Sequence, residues 1–142
     1  MKAISTMQRP KDTTAYAAGD GINTTEAQLA THELPPSGGV ITGVRVRSNC
    51  QRQFRVWLFD GEVNSSSIDN AYLQVEPKTV LAFIDVKALP IKVSDDFGWT
   101  ECSIPYTTEK VSWQLQTMEQ FIPESEEQFI VELQYRVARP RN

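Results

Sequence analysis

Phe129-Ile130-Val131-Glu132-Leu133-Gln134-Tyr135-Arg136-Val137 is the stretch that decides the fold class. Phe129, Val131, Leu133, Tyr135 and Val137 fall on every second position, and three of the four residues between them are polar or charged. A β-strand turns successive side chains to opposite faces, so this segment has one apolar face and one that is mostly wet. At helical spacing the same residues would scatter round the cylinder. Such a strand must bury its apolar face under another sheet, and the chain supplies several matching partners.

Working outward, Val40 to Arg47 is predicted as a strand with Val44 and Val46 inward and the arginines outward. In Phe54-Arg55-Val56-Trp57-Leu58-Phe59-Asp60, Phe54, Val56 and Leu58 share one face. The other face carries Arg55, Trp57 and Phe59, which is unusually apolar for a solvated surface and predicts cover by an arm of this chain or by another subunit. Val80 to Val86 is a nearly continuous apolar run, as expected of a central strand covered on both faces. Val111 to Met118 alternates cleanly, and Tyr72 to Val75, Ile91 to Val93 and Trp99 to Ile104 are shorter candidates. About eight short strands, with turn signals between them and no strong helix or fixed-period repeat, predict an all-β fold: an antiparallel β-sandwich or jelly roll.

The first 38 residues differ from the rest. They are rich in Thr, Ala and Gly, are broken at Pro10, Pro35 and Pro36, and contain the turn signal Gly19-Asp20-Gly21. Ala15 to Ala18 is a weak strand candidate, and Thr25 to Ala30 fits a strand or one helical turn. Residues 1–38 are expected to form an extended N-terminal arm plus an edge strand, and residues 39–142 the sandwich domain.

Composition narrows the function classes. With 40% apolar and 23% charged residues and a net charge of -4, the chain is an ordinary single-domain composition. The acidic balance argues against nucleic acid. The basic clusters Arg45, Arg47, Arg52, Arg55 and Arg136, Arg139, Arg141 are expected as solvated strand faces. No apolar run reaches the ~20 residues that span a bilayer, and no secretory signal is recognised, so folding in a cytoplasm with Cys50 and Cys102 reduced is expected.

Chemistry is scarce. His32 is the only histidine, which rules out a histidine-rich metal site; it is expected at the surface. Asp95-Asp96, Glu126-Glu127 and Asp60 with Glu62 are adjacent or near-adjacent carboxylates that strands and turns point apart, unlike a glycosidase pair. No phosphate loop, dinucleotide fingerprint or calcium loop is present. No enzyme, metal or cofactor is expected. Of the three tryptophans, Trp113 on its clean strand is expected in the core, whereas Trp57 and Trp99 are candidate interface anchors.

Four stretches together resemble a family of small tailed-bacteriophage virion proteins encoded among the head genes. They are Asp12 to Ile22, with its Thr-Ala-Tyr-Ala-Ala-Gly-Asp-Gly core; the glycine-led Ser37 to Val44; Phe54 to Asp60, followed by a serine-rich loop and Asp69-Asn70-Ala71-Tyr72; and the closing strand 129–137. The chain departs from the family in carrying more charge on its strands and a longer acidic loop before the last one. The resemblance implies a cement or decoration protein on the capsid surface, made in the host cytoplasm, whose partner is the major capsid protein and which forms a dimer or trimer. Tyr16, Ile22, Arg55, Trp57, Phe59 and Trp99 are the expected interface residues. Two alternatives stand beside it: a tail or fibre module binding a receptor or carbohydrate through Trp57 or Trp99, and a head–tail junction protein.

Overall fold

The computed structural model describes residues 1–24, 29–49, 51–61, 68–75, 79–92, 97–125 and 127–138. Cys50, Glu62, Val93, Asp95, Asp96, Glu126, Arg139, Arg141 and most of the Thr25 to Ala30 stretch lie outside them, so the expectations attached to those positions do too.

Ten strands follow one another: β1 (Lys2–Gln8), β2 (Asp20–Ile22), β3 (Ala30–Glu33), β4 (Gly39–Ser48), β5 (Gln53–Asp60), β6 (Ala71–Tyr72), β7 (Val80–Lys87), β8 (Thr100–Tyr106), β9 (Lys110–Thr117) and β10 (Gln128–Val137). They build two antiparallel sheets packed face to face, a β-sandwich with no α-helix among the described residues. The first sheet runs β1-β10-β4-β8; the second runs β6-β2-β9-β5-β7, with β3 also on β9.

Alternation sets the core. Phe129, Val131 and Leu133 of β10 are fully buried, as are Phe54, Val56 and Leu58 of β5 and Val44 and Val46 of β4. The Phe54 ring meets Phe129 edge-on at 5.4 Å and Phe121 at 5.9 Å, the arrangement aromatic quadrupoles favour. Each such side chain contributes about 1.5–3 kcal/mol by leaving water. Trp113 is in this core, as expected.

Four expectations need correction. The leading residues hold an edge strand, as expected, but form no loose arm: Lys2–Gln8 ends the first sheet, paired from Lys2↔Gln134 to Gln8↔Gln128, and Met7 lies in the core. Ala3, Ser5 and Met7 face inward and make that pairing stick. Second, the apolar β7 is not central; it ends the second sheet, and its Phe83 is 50% exposed. Third, the face of β10 and β4 expected to be wet is closed at its middle, with Arg45 and Glu132 each 1% exposed. Fourth, His32 is 1% exposed rather than at the surface, because β3 lays it beside Val111 where β3 packs against β1.

Candidate functional site

Three groups of polar and aromatic side chains stand out, and only one remains open to solvent.

The first ties down the leading segment. The buried Arg9 guanidinium donates from Nε to the Tyr16 hydroxyl (3.0 Å), from Nη1 to the carbonyls of Asp12 (2.7 Å) and Glu124 (3.0 Å), and from Nη2 to Asp12 Oδ1 (2.8 Å). Tyr16 in turn donates to Asp69 Oδ1 at 2.6 Å, which also accepts the Asn23 amide. Burial raises the Tyr16 pKa, the Asp69 partner adding to it, and burial likewise raises that of Asp69. The Tyr16 ring stacks on Phe121 at 5.1 Å. Gly19 takes φ +92°, and a side chain there would strike the Tyr72 ring, which covers it. Two of the four resemblance stretches, around Tyr16 and around Asp69, therefore meet in one internal network. Tyr16 and Ile22 are fully buried, so neither is available as an interface residue; both are corrected to structural roles.

The second group closes the outer face of the first sheet. Glu132 stands across from Arg45 in the β10–β4 register and accepts from its Nη2 at 2.6 Å; Arg47 Nε also pairs with Glu132. Arg45 donates to the Phe97 carbonyl (2.9 Å) and Arg47 to the Ile91 carbonyl (2.7 Å), so the backbone at these two residues lies against the ions. The Trp99 ring lies against the Arg45 guanidinium at 4.4 Å. Trp99 thus caps a buried ion cluster and is half-buried.

The third group lies on the outer face of the second sheet. Arg55 of β5 faces Asp85 of β7 and holds it with two hydrogen bonds, Nε to Oδ1 at 2.7 Å and Nη2 to Oδ2 at 3.1 Å. That contact lowers the Asp85 pKa and raises that of Arg55. One step along, Trp57 faces Phe83 with ring centroids 5.1 Å apart and a 44° tilt, and Arg55 lies over Phe83 at 4.3 Å. Trp57 Nε1 donates to Gln116 Oε1 (3.0 Å), whose Nε2 donates to the Gly19 carbonyl (3.0 Å). This strip keeps Arg55 and Trp57 half-buried and Phe83 out in solvent.

Phe59, expected on the same strip, is buried. It sits outside the inter-sheet core beside Ser112, whose hydroxyl donates to the Gly61 carbonyl (2.6 Å). Of the six expected interface residues, the structure brings Arg55 and Trp57 together, sets Trp99 apart as a cap, and buries Tyr16, Ile22 and Phe59. Sequence reading missed Phe83 and Asp85. The signal was present: Asp85 and Lys87 interrupt the apolar run of β7, as charges do on an edge strand.

An open groove of about 1070 Å³ lies at one end of the first sheet, walled by Val40, Pro105, Tyr106, Tyr135, Val137 and Met1. No group of three or more metal-ligating side chains occurs among the described residues, and none of their helices is long and apolar enough to cross a membrane. No protein-family model matches the sequence, and comparisons with curated proteins and with solved structures return no match either, so the sites rest on their own geometry.

Proposed function

We propose that this chain is a non-enzymatic structural protein of a tailed-bacteriophage virion, a cement or decoration protein that binds major capsid subunits on the head surface as a dimer or trimer. The observation that carries the reading is the half-open strip of Trp57, Phe83, Arg55 and Asp85 on a stiff two-sheet body. A flat sheet face with an aromatic pair and one ion pair suits a protein partner: aromatics and arginine dominate such contacts. Many copies on a symmetric shell would add to each weak contact by multivalency. The leading strand is committed to its own sheet, which moves the proposed shell contact from the first residues to this face.

The carbohydrate-binding alternative is less well supported. Sugar stacking favours coplanar, open rings, whereas Trp57 and Phe83 are tilted by 44° and Trp99 is occupied by Arg45. The test is co-sedimentation with shells of the encoding phage that lack this protein. Wild-type chain is expected in the pellet at a fixed ratio to the shell protein, and Trp57→Ala is expected to lose most of that binding while its melting temperature changes little. Absence of wild-type chain from the pellet and from the head fraction of purified virions would overturn the reading.

A further inference from the structure

Five strands end the two sheets: β1 and β8 the first, β6, β3 and β7 the second. An unpaired sheet edge is a template for another strand, and proteins blunt it with shortness, proline or charge. β6 has two residues, and β3 has four and ends in Glu33. β8 carries Glu101 and Pro105. β1 is mostly polar and begins with Lys2. β7 differs from all four. It opens with five apolar residues, Val80 to Ile84, contains no proline, and pairs with β5 in unbroken register from Lys87↔Gln53 to Ala82↔Leu58. No strand among the described residues pairs with its other side.

We propose that β7 pairs antiparallel with β7 of a second copy of this chain, across a two-fold axis at Phe83. The strand is self-complementary in that register. Phe83 meets its equivalent, Ala82 faces Ile84, Leu81 faces Asp85, and Lys87 faces Thr79, so no like charges are opposed. The charges on the outer face also interleave. Each Asp85 carboxylate comes diagonally next to the partner's Phe83, over which the partner's Arg55 lies, so positive and negative groups alternate across the axis. The two Trp57–Phe83 pairs become one four-ring strip, and the half-exposed Phe83 is covered. The two second sheets become one continuous sheet, which doubles the face offered to the shell. The pairing deepens only the oligomer part of the proposed function; it does not require that the shell be the target.

The test is made on the full chain in free solution, so its outcome is separate from shell co-sedimentation. Light scattering during size exclusion should give twice the 16.0 kDa chain mass. Phe83→Lys, at a half-exposed site, should return it to 16.0 kDa. Asp85→Lys should do the same while leaving every aromatic side chain in place. Ile4→Lys, at an apolar residue on β1 that is 61% exposed, should leave the dimer intact. Hydrogen exchange should show the β7 amides that point away from β5 protected in the wild type and fast in Phe83→Lys. A wild-type monomer at every concentration would leave this edge to a strand of another protein and overturn the proposal. A trimer, or a dimer that survives both β7 substitutions, would overturn it equally.

Discussion

The two outer faces of the sandwich carry the same three-part device in opposite conditions. On the first sheet an arginine, a carboxylate directly across the ladder and an aromatic ring against the guanidinium are Arg45, Glu132 and Trp99; on the second they are Arg55, Asp85 and Phe83. The guanidinium-to-ring distances are nearly equal, 4.4 and 4.3 Å. Burial separates them. Arg45 and Glu132 have side chains 0% and 1% exposed, against 27% and 47% for Arg55 and Asp85. Water screens the second pair and leaves its ring free to meet another surface; the first is sealed by the chain that passes at Ile91 and Phe97. Identical chemistry therefore serves cohesion on one side and contact on the other.

The largest effect should come from breaking the sealed pair. Glu132→Gln leaves two neighbouring arginines of β4 with no carboxylate beside them, and is expected to cost about 3–5 kcal/mol in urea unfolding. A loss under about 1 kcal/mol would mean that the face is as wet as the other one.

Acid should also act on the closed interior. Burial lowers the His32 pKa to about 4 from 6.5, and neither ring nitrogen has a hydrogen-bond partner. The folded state then resists protonation while the unfolded chain accepts it. The stabilisation is full above pH 6.5 and is lost as pH falls towards 4, by about 3 kcal/mol in all. Asp69 and Glu127, whose pKa values burial raises, act in the opposite direction. The measurement is therefore the difference between wild type and His32→Leu, which should lose this slope between pH 6.5 and 4; parallel curves would sink the assignment.

The smallest effect belongs to the open pair. Asp85→Asn is expected to cost less than about 1 kcal/mol, measured by thermal melting at concentrations too low for association. A loss matching that of Glu132→Gln would erase the contrast between the faces.

What the sequence made legible follows from the same contrast. The inward sets of β4, β5 and β10 are aliphatic or aromatic on strict alternation, and the sandwich followed from them. β1 was hidden because its inward residues are Ala3, Ser5 and Met7 while its one β-branched aliphatic, Ile4, points out. β7 was misplaced because a run of apolar residues reads alike at a sheet's centre and at an edge made for pairing. Arg45 and His32 could not be placed, since alternation tells which way a side chain points and not what lies on top of it. Of the expected contact residues, Arg55 and Trp57 were found because both stand opposite an inward apolar set; Phe83 and Asp85 needed the strand register.

The pairing of β1 with β10 has a consequence for biosynthesis. Ser5 is made well before its ladder partner Val131, so the first sheet cannot close until the chain between them has been added. Contacts this distant along the polymer form slowly. During that wait the nascent β1 has no native strand to pair with, and closure of this sheet is the step at which a growing chain most needs protection from its siblings.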